Sequence, residues 1–137
     1  MLNQPKKTKY RKCFKLRNLP KTSTHAHKLG EKTCFAVIAS QPGYLNTQQI
    51  EAARQTIRRK VKREGKLEIP LFPNIPITKK ASAARMGKGK GKVDHWVVSL
   101  AAGRTVFLLY GIEPKQGLPA LRSGVNKLPI KLKIYQL

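Results

Sequence analysis

A glycine-lysine segment at residues 85–92, with the sequence RMGKGKGK, limits the possible folds of this chain more than any other feature. Three glycines alternate with three lysines, and no acidic residue lies between Glu68 and Asp94. Glycine lets a backbone approach another surface closely and makes it costly to order. Because the segment has no apolar face to bury, it predicts a basic loop outside the core that a polyanion orders. The alternative is a flexible, solvated surface loop.

The net charge indicates what kind of partner orders this loop. The chain has 29 Lys and Arg against 6 Asp and Glu, a formal charge of +23 over 137 residues. Such a charge opposes compaction, and the most common partner of a chain like this is nucleic acid. An anionic membrane is the rival partner, but no apolar run approaches the ~18 residues of a spanning helix. We therefore expect a nucleic-acid partner, no membrane and no homo-oligomer.

The distribution of apolar and basic residues predicts the domain organisation. Hydrophobic residues make up 40% of the chain, which is enough for one folded domain. We expect an extended basic arm at residues 1–30 and a single α+β domain at residues 31–137, with a loop at 79–92 that protrudes from it. An organellar transit peptide has a composition similar to the arm. Pro5 and Pro20 interrupt the arm, however, and no apolar face recurs in it, so a nucleic-acid-binding arm is favoured.

Apolar runs, some continuous and some alternating, predict five strands. They cover residues 34–39, 67–72, 93–100, 105–110 and 130–135. Pro70 lacks an N–H, so the second strand is expected at a sheet edge. Residues 101–104 fit a hairpin turn between the third and fourth strands. Trp96 is expected to be a core residue, with stacking on a nucleobase as the alternative.

The clearest predicted helix follows Asn46, which forms a capping-box pattern with Gln49. The apolar positions that recur at helical spacing are Ile50, Ala53, Ile57 and Val61. Gly65 is expected to end the helix. Basic residues lie off the apolar stripe, and we favour contact with phosphates over simple solvation for this face. These residues are Arg54, Arg58, Arg59, Lys62 and Arg63.

A second helix is predicted near the C-terminus. Its apolar positions are Leu118, Leu121, Val125 and Leu128. Pro119 is expected near its start, and Gly124 is expected to weaken it by roughly 1 kcal/mol relative to alanine. Because helices and strands interleave without a regular βαβ repeat, the sequence predicts the α+β class.

No pattern in the chain predicts catalysis, a metal or a cofactor. The glycine-lysine segment lacks the spacing of a P-loop, and no strand leads directly into it. The spacing of Cys13, His25, His27 and Cys34 matches no closed zinc module. His95 beside Asp94 is interpreted as an ordinary pair at the start of a strand. We therefore expect a protein that is not an enzyme and that has no cofactor and no metal.

Four stretches, in this order, resemble those of one known family. They read QPKKTKYRK at residues 4–12, QIEAAR at 49–54, PITK at 76–79 leading into RMGKGKG at 85–91, and KLPIK at 127–131. The chain resembles the bacterial-type large-subunit ribosomal protein sixteen family, whose eukaryotic counterpart is ribosomal protein ten. The match spans almost the whole chain.

The resemblance implies an α/β-hammerhead-like domain with two helices and a mixed or antiparallel sheet, embedded in large-subunit rRNA beside the aminoacyl-tRNA site. It implies neighbouring ribosomal proteins as partners, late entry into the subunit and no catalysis. Together with the basic face of the first helix, it predicts rRNA contacts at Lys6, Lys7, Lys9, Arg11, Lys12, Arg17, Arg54, Arg58, Arg59 and Lys62. The loop predicted to face tRNA and rRNA consists of Arg85, Met86, Gly87, Lys88, Gly89, Lys90, Gly91 and Lys92.

Three stretches depart from the family's pattern. Residues 40–44 read SQPGY where the family has a glycine- and arginine-rich turn, and prolines and glycines interrupt residues 112–124, which predicts a shortened or re-angled helix. Residues 81–84 read ASAA in place of a proline-containing run. Divergence at these places, with the motifs kept, favours an organelle-encoded copy in a mitochondrial ribosome, with a plastid or the bacterial cytoplasm as alternatives. A free-standing basic nucleic-acid-binding or chaperone protein is the alternative function.

Overall fold

Two antiparallel sheets and two helices form the part of the chain that the computed structural model describes, which is residues 4–15, 19 and 33–136. In chain order the elements are β1 (Thr33–Ala39), β2 (Gly43–Asn46), α1 (Thr47–Lys60), β3 (Lys66–Glu68), β4 (Ile75–Lys79), β5 (Lys92–Leu100), β6 (Thr105–Tyr110), α2 (Pro114–Val125) and β7 (Leu132–Gln136). One sheet has the strand order β3-β6-β1-β7 and the other has the order β2-β5-β4. The predicted α+β class is confirmed. The predicted boundary at residue 30 lies outside the described residues.

The connection between β5 and β6 differs from the predicted hairpin. The two strands do not pair, because β5 is the central strand of the three-stranded sheet and β6 lies inside the four-stranded one. The N–H of Gly103 donates to the carbonyl oxygen of Ala39 at 2.8 Å, and the N–H of Ala39 donates to the carbonyl oxygen of Arg104 at 2.9 Å. The turn at residues 101–104 therefore continues the pairing between β6 and β1. It carries the chain from one sheet to the other.

Two strands of the three-stranded sheet were not predicted. They are β2 and β4, which lie outside the five predicted strand ranges. Both pair with β5, β2 through Tyr44 opposite Ser99 and β4 through Pro76 opposite Trp96. Because β4 is an edge strand, the missing N–H of Pro76 need not break the sheet. β3 also lies at an edge, as predicted, but it ends at Glu68 before reaching Pro70.

Helix α1 begins as predicted and ends earlier than predicted. The N–H of Asn46 donates to Oε1 of Gln49 at 3.0 Å, and the N–H of Gln49 donates to the side chain of Asn46, which confirms the predicted capping box. The four apolar positions of the predicted stripe are all buried. The helix ends at Lys60, so the prediction that Gly65 ends it is wrong. The N–H of Lys62 donates to Arg59 and that of Arg63 donates to Arg58, at 3.2 and 3.1 Å. This is the Schellman pattern, with lysine at a φ of 50° where glycine is usual.

Helix α2 uses small residues to approach α1. It spans Pro114–Val125 and contains Pro119, so this proline lies inside the helix and not at its start. Its buried residues are Gly117, Ala120, Leu121 and Gly124. Leu118 and Val125, which were predicted to face the core, are only partly buried. A Cβ on Gly124 would lie 2.4 Å from Cγ1 of Ile57 on α1, so this glycine permits the close contact between the two helices.

A single hydrophobic cluster joins both sheets and both helices. Its largest members include Phe35, Phe107, Leu45, Ile57 and Leu121, all with no exposed surface. Trp96 is only partly buried and does not belong to this cluster, so its prediction as a core residue is wrong. Neither helix in the described ranges is long and apolar enough to cross a membrane.

Candidate nucleic-acid interface

The glycine-lysine segment is the connection of a β-hairpin. β4 and β5 are antiparallel, and the last pair before the connection is Lys79 opposite Lys92. The strands of this hairpin are tied to the core through β5, whose Val98 and Leu100 are buried. Residues 80–90 between the strands are all exposed, so the loop extends from a rigid base into solvent.

The glycines of this loop have a backbone role that the sequence did not reveal. Gly87, Lys88 and Gly89 have φ values of 102°, 52° and 75°, so three consecutive residues adopt left-handed conformations. Glycine adopts these conformations without the steric cost that a Cβ brings. Gly91 has a different role, since a Cβ there would lie 2.6 Å from the carbonyl oxygen of Lys79. The alternating glycines therefore shape the tip of the loop and close its base.

The loop borders an open, positively charged concave space of about 660 Å³. Six cationic residues line it: Lys79, Lys80, Arg85, Lys88, Lys90 and Lys92. Nζ of Lys80 donates to the carbonyl oxygen of Gly87 at 2.6 Å, which holds the two sides of the loop together. Since residues 69–93 contain no acid, nothing within this stretch of chain neutralises these cations.

The N-terminal arm lies against the loop. Nζ of Lys12 donates to the carbonyl oxygen of Lys90 at 2.8 Å. Nζ of Lys90 donates in return to the carbonyl oxygen of Cys13 and lies 4.5 Å from the ring centroid of Phe14. These contacts bring together two basic segments that the sequence treated as separate. We call the surface formed by residues 4–15 and 79–92 the arm–loop surface.

A second contact fixes the arm to the domain. Nζ of Lys15 lies 4.5 Å from the ring centroid of Tyr44 on β2. Burial, and secondarily the proximity of Cys13, raise the pKa of Tyr44 above its ordinary value. Tyr44 belongs to the SQPGY stretch at residues 40–44, which thus contributes an aromatic contact for the arm.

The predicted site residues of the arm are solvent-exposed. Those that the structure describes are Lys6, Lys7, Lys9, Arg11 and Lys12. Arg17, the sixth predicted residue of the arm, lies outside the described residues. The exposed side chains fit the predicted contact with phosphates, which stays a prediction.

The basic face of α1 is partly engaged within the protein. Nε and Nη2 of Arg54 donate to the two carboxylate oxygens of Glu51, at 2.8 and 2.6 Å. The bond to Arg54 is the main cause that lowers the pKa of Glu51 to about 2. Nη1 of Arg58 donates to the carbonyl oxygen of Gly65 at 2.9 Å. Arg59 and Lys62, by contrast, are exposed.

Arg54 and Arg58 nevertheless line an open cleft. It has a volume of about 250 Å³, and its other lining residues are Gly65, Lys66 and Leu67. A guanidinium that already donates to one acceptor is oriented for further contacts through its remaining N–H groups. The cleft is therefore a second, smaller basic patch.

Sequence reasoning missed several residues of the arm–loop surface. Lys79 and Lys80 line the concave space but were not among the predicted contacts. Lys15 and Phe14 were also missed, although aromatic residues interleaved with cations are a known signal of single-strand binding. Lys90 was predicted as a contact for RNA, and the structure adds its role in holding the arm.

The side chains at these surfaces suit the binding of anions. Among the described residues, no group of three or more His, Cys, Asp or Glu side chains could hold a metal ion. Nδ1 of His95 lies 2.8 Å from Oδ2 of Asp94 on β5, where Asp94 is exposed and His95 is half-buried. Exposed cations on a concave backbone instead suit a phosphate-rich polymer.

Comparison with known families agrees with this chemistry and with the resemblance seen in the sequence. The family model described as ribosomal protein L16p/L10e matches residues 5–135. The match includes the arm, the hairpin loop and both helices, and the family is structural and non-enzymatic. The chain therefore belongs to the ribosomal protein L16p/L10e family and is a structural constituent of the large ribosomal subunit in translation.

Proposed function

We propose that the arm–loop surface binds large-subunit rRNA and that its loop helps to position aminoacyl-tRNA near the peptidyl-transferase region. The observation that carries this proposal is the concave space lined by six cations, without an acid from residue 69 to residue 93. Membership of a large-subunit ribosomal protein family supports rRNA as the bound RNA. Late entry into the subunit belongs to the same proposal.

The arrangement of the hairpin supports this role physically. The close approach at Gly91 narrows the base of the loop, and the hydrogen bond from Lys80 to Gly87 joins its two sides. The loop is therefore already partly ordered, so less conformational entropy is lost when RNA binds. With about six phosphates engaged, log K would fall by about 5 per decade of salt concentration. A steep salt dependence alone does not identify rRNA, because any basic nucleic-acid-binding protein shows one.

The test is a comparison of two charge-matched double variants in ribosomes. Lys88→Ala with Lys92→Ala removes two cations from the loop, and Lys115→Ala with Lys133→Ala removes two exposed cations elsewhere. We expect both variants to melt like the wild type, because all four side chains are exposed. Only the loop variant should weaken aminoacyl-tRNA binding or leave large subunits incompletely matured.

Two outcomes would overturn the proposal. The protein could fail to co-sediment with large subunits after a high-salt wash, or its crosslinks could scatter over arbitrary RNA and DNA without fixed rRNA positions. The second outcome would favour a free-standing nucleic-acid chaperone.

For the compartment we propose a mitochondrial ribosome. The support for this is that the chain keeps the family's motifs and diverges from the family's pattern only between them. Recovery of the protein in plastid or bacterial ribosomes would contradict that assignment.

A further inference from the structure

Three large apolar side chains on the arm–loop surface have no role in phosphate binding. Met86 is 99% exposed, Phe14 is 91% exposed and Tyr10 is 71% exposed. Phe72 and Tyr135, the other exposed large hydrophobic residues of the described chain, are each 45% exposed. The most exposed apolar groups are therefore concentrated among the cations of the arm and the loop.

Phe14 is exposed and yet held in place. The ammonium of Lys90 lies 4.5 Å from the centroid of its ring. The same ammonium donates to the carbonyl oxygen of Cys13, and Lys12 donates to the carbonyl oxygen of Lys90 at 2.8 Å. A cation on one side of the ring and an exposure of 91% leave the other side open to a ligand. The ring is thus a flat apolar surface with the ammonium of Lys90 on one face and further cations nearby.

We propose that Phe14, backed by Lys90, is a stacking site for an unpaired nucleobase. This inference rests on the proposed function and names the form of RNA that the arm–loop surface recognises. Bases in a duplex have both faces covered by their neighbours, whereas bases in loops, bulges and single strands can stack on aromatic side chains. The cations around Phe14 would bind the phosphates on either side of the stacked base. The arm and the loop then bind the same stretch of RNA as one unit.

The experiment measures binding of the full chain to two RNA probes. One is an unstructured single strand of about ten nucleotides, a length within the site size of single-strand binders. The other is a blunt RNA duplex of the same length. Phe14→Ala should weaken binding of the single strand by about tenfold and binding of the duplex by no more than about twofold. Phe14→Trp should keep the wild-type affinity for the single strand, because it restores a stacking surface.

Two further variants separate stacking from other effects. Tyr135→Ala removes an exposed aromatic residue from β7 and should leave both affinities unchanged. Lys90→Ala should weaken the binding of both probes, because it removes a positive charge. The double variant with Phe14→Ala should lose less affinity for the single strand than the product of the two separate fold-losses, because the two side chains act together.

The outcomes are distinguishable from those of the proposed function. Equal losses on both probes, or no loss on the single strand, would overturn the stacking role. If the wild-type chain bound neither RNA, the proposed function itself would fail, whatever the result with Phe14→Ala.

Discussion

Replacing Gly124 by alanine tests whether the contact between the two helices or helix propensity governs the stability of this domain. Gly124 lies on the buried face of α2, against Ile57 and Ala53 of α1. Propensity alone favours the substitution, since alanine is better than glycine inside a helix by about 1 kcal/mol. The sequence therefore predicts that Gly124→Ala raises the free energy of unfolding.

The structure predicts the opposite sign. The new Cβ would lie 2.4 Å from Cγ1 and 2.7 Å from Cδ1 of Ile57, and 3.3 Å from the carbonyl oxygen of Ala53. Ile57 has no exposed surface, so it has no room to move away. Overpacking of this kind costs about 1–3 kcal/mol. After the propensity gain is subtracted, Gly124→Ala should lower the free energy of unfolding by about 1 kcal/mol.

A double-mutant cycle measures the two contributions separately. Ile57→Ala removes both clashing carbons, at a cost of about 2–5 kcal/mol for the cavity that remains. In that background Gly124→Ala should become stabilising by somewhat less than about 1 kcal/mol, because only the 3.3 Å approach to the carbonyl oxygen of Ala53 still opposes the propensity gain and the partial filling of the cavity. Gln116→Gly, at an exposed position of the same helix, reports propensity alone and should cost somewhat less than about 1 kcal/mol.

The assay is urea unfolding of the full chain, followed by circular dichroism at constant ionic strength. A change of midpoint with an unchanged slope reports stability. A gain of about 1 kcal/mol for Gly124→Ala in the otherwise unchanged chain would refute the reasoning, since the helices would then not be in close contact at this point. The same sign in both backgrounds would refute the role of Ile57.

Three further predictions concern the loop base, the end of α1 and acid stability. Gly91→Ala places a Cβ 2.6 Å from the carbonyl oxygen of Lys79, so it should destabilise the hairpin by about 1–3 kcal/mol. An unchanged thermal midpoint would contradict this. Lys62→Gly relieves a left-handed φ of 50° and should raise the urea unfolding free energy by about 1 kcal/mol; a decrease would show that the lysine is not strained. The pKa of Glu51 is lowered from 4.5 to about 2, mainly by its bond to Arg54. Because the pKa of Glu51 is lower in the folded state, its ionised carboxylate stabilises the fold above pH 4.5, and this stabilisation is lost as the pH falls toward 2. The difference in unfolding free energy between the wild type and Glu51→Gln should therefore disappear across that interval. Parallel pH profiles would contradict it.

The features that could be predicted from sequence are those with a local cause. The start of α1 was predictable because Asn46 and Gln49 lie three positions apart and bond within one turn. The buried run of β6 was predictable because every residue from Thr105 to Leu109 is buried, and a continuous apolar run indicates this. The loop was predictable because alternating glycine and lysine cannot form a packed face.

The features that were missed depend on residues far apart in the chain. The turn after β5 looked like a hairpin turn, but Gly103 and Arg104 pair with Ala39 of β1 instead. The role of Gly124 was misjudged because Ile57, which requires it, lies on the other helix. β4 was overlooked because Pro76 argues against a strand unless the strand lies at an edge, and edge position is a property of the whole sheet.

By itself the sequence determined the family, the fold class and the position of the basic loop, because periodicity, charge and short motifs are properties of neighbouring residues. Only the tertiary structure decided how the cations are arranged. Lys12 and Lys90 are 78 positions apart and still bond to each other, which joins the arm and the loop into one surface. Contacts between distant residues form only when the fold brings their segments of the chain together. The folded hairpin and the packed arm therefore determine which cations bind within the protein and which face a partner.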